Sequence, residues 1–279
     1  MNTLPHCEHL LLSHEEGILT IELNRPEKKN AMSAQTVFEL SSVFDSIKDD
    51  RTVRGVVLRG SHGNFCAGGD ISGMRDSRIN SNAADLPDNS GMVRDESWHF
   101  NRSFGHLITA VNQAPQVTVC VLEGAVLGGG LGLACVCDVA ITSNDAMFAM
   151  PETGLGIIPA QIAPFVVARI GLTQARRLAL LGERINGQQA LDLGLVHQVV
   201  FNAEGMVEAL DNTLKMLRKC APQATAITKA LLIDASKPIR ELESFLDRAS
   251  DDFSKALKAD EGKEGTQAFV DKRKPNWQL

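Results

Sequence analysis

Two glycine-rich stretches each follow an apolar run: FCAGGD at 65–70 and AVLGGGLGLA at 125–134. The second runs on into an apolar, helix-like segment, yet contains no acid, base or nucleophile. Glycine lets a partner approach the backbone closely, and a helix N-terminus offers unpaired N–H groups and a partial positive charge. A resident phosphate is a poor fit. The dinucleotide pattern G-x-G-x-x-G has Leu133 in place of its third glycine, and the phosphate loop needs Gly-Lys-Ser/Thr where Gly130 is followed by Leu131 and Gly132. A transient anion fits better. Two backbone N–H groups suffice to hold an enolate or tetrahedral oxyanion, and each such donor is worth roughly 10²–10³ in rate. FCAGGD is the obvious source of the second donor. Taken singly, either stretch is more simply a tight turn.

The elements that would carry these turns alternate between strand and helix. Residues 9–24 (HLLLSHEEGILTIELN) predict a hairpin about a Glu-Gly turn. Ser33 is a candidate N-cap for an amphipathic helix ending near Ile47, and VRGVVLRG (53–60) predicts a buried strand. The polar segment 72–96 is either a surface loop or a mobile lid. A helix is expected over 97–114, then the strand QVTVCVLEG, the glycine run, and short strands CDVAIT and AMFAMPE. Further on, helices are expected over 159–169, 173–181, 187–193, 204–219, 222–235, 239–257 and 261–273, with LVHQVV one late strand. The pattern predicts an α/β core over residues 1–200 and a helical region over 201–279 that caps the site or forms an oligomer arm.

Composition excludes several classes. A net charge of −6 gives no basic field for nucleic acid, and the absence of tyrosine offers little stacking surface. No apolar run reaches the roughly 20 residues that span a bilayer. The N-terminus lacks a basic segment followed by a long apolar one, and six scattered cysteines fit free thiols in a reducing compartment, so a cytoplasmic protein is expected. His6, Cys7, His9 and His14 match no standard zinc spacing, so no metal is expected.

NRPEKKNAMS, FCAGGD, EGAVLGGGLGLACVCD, FAMPETGLGIIP and AFVDKRKPNW occur in this order along nearly the whole chain. The ordered set resembles the enoyl-CoA hydratase/isomerase (crotonase) superfamily. The resemblance implies a spiral of repeated ββα units with a helical C-terminal region that trimerises, often as a dimer of trimers. It implies an acyl-CoA substrate, coenzyme A being part of the substrate, with no separate cofactor. By the same resemblance the thioester oxygen sits between the N–H groups of Gly69 and Gly129. CoA contacts fall on Arg25, Lys28 and Ala67, with Gly68, Asp70 and Ile71 beside them. Phe269 and Lys272 reach a CoA bound to a neighbouring subunit.

Two departures from the family pattern bear on the chemistry. Two-carboxylate hydratases carry Glu three residues after the middle glycine; here that position is Gly132. The second family glutamate is present as Glu152, which is left as the sole acid/base for a syn addition of water. Further on, IIPAQIAPFVV stands where many hydratases have Gly-Ala-Gly-Gly. Together these resemble hydratases of 3-branched glutaconyl-CoA thioesters. Isohexenylglutaconyl-CoA of acyclic terpene breakdown is the first expectation and 3-methylglutaconyl-CoA of leucine breakdown the second. Gly132 would then leave room for a branch and remove a charge that repels a substrate carboxylate. Gln161, Arg75 or Arg78 would meet that carboxylate. The same scaffold also serves enoyl-CoA isomerases, thioester hydrolases, decarboxylases and non-catalytic binding homologues.

Overall fold

The apolar run at 55–60 is continuous rather than alternating because both of its faces are covered. In a computed structural model, which describes residues 4–70, 86–87, 91–236 and 242–278, it forms β3 (Gly55–Gly60), near the middle of a six-stranded sheet. The hairpin β1 (Leu10–Glu15) and β2 (Ile18–Leu23) pairs antiparallel in the register Leu10↔Leu23, around a turn where Glu16 and Gly17 both have positive φ. From β2 onward the sheet is parallel: β3, then β6 (Val117–Leu122), β8 (Val139–Ser143) and β10 (Gln198–Val200). Successive residues face opposite sides. Val56 and Leu58 join the main core, whereas Val57 joins a smaller one with Val119, Val121 and Ile141. Parallel strands covered on both faces read as unbroken apolar runs.

Among the described residues up to Leu181, four helices contribute to the main core. They are α1 (Ala34–Ile47), α2 (Glu96–Gln113), α3 (Gly129–Val136) and α4 (Ala163–Leu181). Ser33 caps α1 as expected, accepting from the Thr36 N–H at 3.2 Å in a reciprocal capping box. Asp95 caps α2. The two helices expected over 159–169 and 173–181 are both present as the two halves of α4, separated by a non-helical Gly171 (φ 74°). Helix α4 starts later than expected because Pro164 lies in its first turn, where a missing N–H is tolerated. Residues 157–162 are therefore loop, which matters for the site.

Beyond these come α5 (Gly187–Asp192) and α6 (Ala203–Leu217), the latter covering the smaller core with Met206, Ala209, Leu214 and Leu217. The chain ends in α7 (Pro222–Ala235), α8 (Leu242–Lys258) and α9 (Asp260–Val270). Glu261 accepts the N–H groups of Gln223 and Ala224 at the start of α7, and Arg273 grips Glu264 through two bonds of 2.7 and 2.8 Å. A two-residue pairing of β4 (Leu86–Pro87) with β5 (Val93–Arg94) lies within the segment read as loop or lid, most of which falls outside the described residues.

Two further strands form a second, smaller sheet. The strands expected at CDVAIT and AMFAMPE do not pair with each other. β9 (Met147–Ala149) instead pairs in parallel with β7 (Ala125–Leu127), one layer away from β8. Cys66 bridges Val126 in parallel, and Met32 bridges Gly69.

The N-terminal segment is tied to α1 by the buried Glu39, which accepts the N–H groups of Glu8 and His9, both at 2.9 Å. Burial raises the Glu39 carboxyl, but hydrogen bonds from Gln35, Glu8 and His9 outweigh it and hold the group below the ordinary range. Its stabilisation is therefore present above the unfolded-state value near ~4.3 and is lost as pH falls through the lower native one. Glu39→Gln should destabilise the fold by about 1–3 kcal/mol at pH 7. Thermal denaturation should show that deficit closing as the pH is lowered past 4.

Candidate active site

The register of the small layer decides what meets what. Cys66 N donates to Ala125 O at 2.8 Å and Leu127 N to Cys66 O at 2.9 Å. With Cys66 opposite Val126, the two chains run in step into their glycines, so Gly69 and Gly129 leave the layer side by side. The turns touch: a Cβ placed on Gly68 would lie 3.9 Å from Gly128 Cα.

Each turn uses up one N–H and leaves the next. Gly68 N donates to Cys66 Sγ at 3.4 Å, while Gly128 N donates to Ala149 O at 2.9 Å. Burial pushes the Cys66 thiol up to about 12, so the sulfur stays neutral and available as an acceptor. Among the described residues no acceptor meets the N–H of Gly69 or of Gly129, the first residue of α3. Glycine is required at the two preceding positions by conformation, with φ of 99° at Gly68 and 48° at Gly128. Gly130 is required by packing against backbone, whereas Gly129 sits against the flexible end of Met32. A Cβ on Gly129 would lie 2.8 Å from Met32 Cε, and one on Gly130 would lie 2.6 Å from Cys66 O.

Glu152 comes from the third segment, one turn beyond β9. It opens a 3-10 helix, Glu152–Leu155, which is pinned to α4 by Thr153 Oγ1 donating to Ala179 O at 2.9 Å. Its Oε2 is buried without a hydrogen-bond partner. Its Oε1 would lie 2.7 Å from a Cβ on Gly128, so the carboxylate rests directly on the glycine turn. Burial raises the Glu152 carboxyl above the ordinary range, against a smaller opposing effect of its own N–H. A cavity of about 140 Å³ joins these groups. Gly69, Gly129, Glu152, Ala67, Gly68 and Gln161 line it, with apolar walls from Met32, Phe100, Phe104 and Ile162. Among its lining residues Glu152 is the one ionisable group. Unpaired N–H donors beside a desolvated carboxylate are equipped to stabilise a developing oxyanion and to move a proton.

Other expected site residues sit elsewhere. Arg25 does not present a free guanidinium. It pairs with Asp70 at 3.0 Å and donates to Ala31 O at 2.6 Å, tying the NRPEKKN loop to FCAGGD. Lys28 is exposed, Phe269 and Lys272 are exposed at the end of α9, and none of the three lines the cavity. Ile71, Arg75 and Arg78 lie outside the described residues.

Gly132 requires a correction. It does not open room for a substrate branch: it is buried, and a Cβ there would overlap Ile162 Cγ2 and lie 3.2 Å from Ile108 Cδ1. The side chain of Ile162, from the loop before α4, fills the space, so an apolar wall stands where the resemblance leads one to expect a second carboxylate. Three residues of α2 and its neighbourhood escaped the sequence reading: Asn101, Arg102 and Gly105. The available signal was Gly105, an interior glycine in an otherwise good helical pattern.

Comparison with known proteins agrees with this geometry. Residues 13–279 match the family model described as enoyl-CoA hydratase/isomerase. The chain belongs to that family. Among solved structures it is similar to Pseudomonas aeruginosa AtuE (51% identity, TM-score 0.90, covering 98% of this chain and 100% of that one). It is also similar to an enoyl-CoA hydratase/isomerase from Marinobacter aquaeolei (48%, TM-score 0.91, 98% and 100%). A probable enoyl-CoA hydratase of Bacillus subtilis is 30% identical over 95% of this chain and 97% of its own.

Two outcomes test the site by stability alone. Because burial favours protonated Glu152 in the native state, stability falls as pH rises from the unfolded value towards the higher native one. Glu152→Gln should therefore melt no lower than the wild type at pH 7, with any gain vanishing below pH 4. Gly132→Glu should destabilise by about 1–3 kcal/mol through overpacking. Adding Ile162→Gly should recover part of that loss in a double-mutant thermal cycle.

Proposed function

We propose that the protein adds water across the α,β double bond of an enoyl-CoA thioester with Glu152 as its single proton-transfer group. The observation that carries this reading is the desolvated Glu152 carboxylate resting on Gly128, beside two N–H groups that have no acceptor among the described residues. As the water oxygen bonds to Cβ, Glu152 takes its proton. The electron pair of the double bond moves onto the thioester oxygen, held by the N–H groups of Gly69 and Gly129. Protonated Glu152 then gives a proton to Cα, the carbonyl re-forms and the carboxylate is restored.

The finer substrate reading is a 3-branched, glutaconyl-type thioester. Its support is the apolar wall of Ile162, Phe100 and Phe104 in a site with one carboxylate rather than two. An apolar substituent at Cβ finds contact there, and a substrate carboxylate meets one fewer negative charge. Gly132 acts by admitting Ile162, not by leaving a void.

Self-association is part of the proposal. Leu246, Phe253 and Leu257 of α8 are exposed along one face, and Phe269 and Val270 at the end of α9 are exposed too. Apolar surface of this extent marks contact with another chain. Light scattering should give three or six copies per particle.

Loss of the conjugated-thioester absorbance identifies hydration, whereas isomerisation creates that absorbance and hydrolysis releases thiol. Glu152→Gln should lower kcat by about 10²–10⁴. A higher kcat/KM for crotonyl-CoA than for isohexenyl- or 3-methylglutaconyl-CoA would remove the branched-substrate reading.

A further inference from the structure

Gly105 sits inside α2 with helical φ, so its backbone does not require glycine; what a side chain there would meet is the ends of two flexible polar side chains. A Cβ there would overlap Gln161 Oε1 and lie 2.6 Å from Arg102 Nη1. The bare Cα makes a shallow seat in which an arginine from α2 and a glutamine from the loop before α4 meet. Arg102 Nη1 donates to Gln161 Oε1 at 3.4 Å, and Gln161 Nε2 donates to Asn101 Oδ1 at 2.9 Å.

The chain of bonds has one direction. Arginine carries only donors, so the Gln161 atom facing it is the oxygen. The Gln161 nitrogen is thereby turned to Asn101, whose oxygen must accept, which leaves the Asn101 NH₂ group without an acceptor among the described residues. Donors are left over at both ends: the remaining guanidinium N–H groups of Arg102 and the Nδ2 hydrogens of Asn101. Among the described residues no carboxylate pairs with Arg102. Asn101 and Gln161 both line the cavity, whose other walls near α2 are the rings of Phe100 and Phe104. Asn101 is exposed and Gln161 half-buried where they line the cavity, and the half-buried Arg102, itself not a lining residue, joins them through Gln161.

We propose that Arg102 and Asn101 form the receptor for a carboxylate at the distal end of the acyl chain, with Gln161 orienting both. A fork of guanidinium and amide donors matches a planar anion, and such charge-assisted bonds discriminate by about 10- to 100-fold. The assignment rests on the glutaconyl-type reading above and deepens it. Gln161 changes role with it, from a direct partner of the carboxylate to the residue that aims the partners.

The test compares 3-methylglutaconyl-CoA with its distal methyl ester, which keeps the carbon skeleton and loses the charge. Wild-type enzyme should favour the acid by at least tenfold in kcat/KM. Arg102→Gln should reduce that preference at least tenfold, and Arg102→Lys should restore part of it. Gly105→Ala provides a control that does not depend on weakening the fold, since alanine is the better helix former. Its Cβ displaces the ends of Arg102 and Gln161, so the preference should fall while the melting temperature does not. A wild-type preference that survives both Arg102→Gln and Gly105→Ala overturns the receptor and leaves the substrate reading intact. A wild-type enzyme with no preference for the acid overturns both.

Discussion

The parallel pairing of Cys66 with Val126 is the constraint on which the site depends. It fixes the register between the chain leaving β3 and the chain leaving β6, and so brings Gly69 beside Gly129. A slip of one residue would turn each turn's free N–H away from its neighbour, because side chains and amides alternate along an extended segment. The same layer carries Glu152 through the pairing of β7 with β9. Three peptide segments far apart in sequence are thus registered by a few backbone hydrogen bonds. Arg25 and Asp70 brace the outer edge of the layer, a use of two charges that binding alone would not have required.

In the reaction proposed above, one carboxylate carries the acid–base work. Desolvation raises the proton affinity of Glu152, bringing it closer to a group that can both accept and return a proton near neutrality. A second ionised carboxylate at position 132 would need space that Ile162 occupies, and would add like charge next to Glu152. Gly132 and Ile162 are therefore one feature rather than two: the loop residue fills what the helix residue leaves. The result is a more apolar cavity. Its remaining polar lining groups, Asn101 and Gln161, are linked to Arg102 and gathered where the cavity opens.

Much of this was legible in the sequence because the physics was local. The hairpin at 9–24, the Ser33 cap and the buried strand expected over 53–60 follow from alternation, capping chemistry and apolar runs, and the structure has each of them, the strand starting at Gly55. The two glycine turns and Glu152 were also readable, and the cavity brings them together. What was not legible depended on contacts between distant residues. Nothing in GLGLA reveals that Ile162, thirty residues on, fills the space above Gly132. Nothing in NRPEK reveals that Arg25 is committed to Asp70. Gly105 alone left a trace, as a glycine where a helix prefers another residue, and its meaning needed Gln161 in place. The separation of β8 and β9 into different layers was hidden for the same reason, since the short turn between them looks like that of a hairpin.

The most direct measurement of the central claim is the pH dependence of kcat/KM for hydration. With Glu152 as the only proton-transfer group, the profile should rise through one ionisation above the ordinary carboxylate range of about 4.3 and then stay level. A bell-shaped profile, with an alkaline limb retained across substrates, would mean that a second group must be protonated and would contradict the single-carboxylate account.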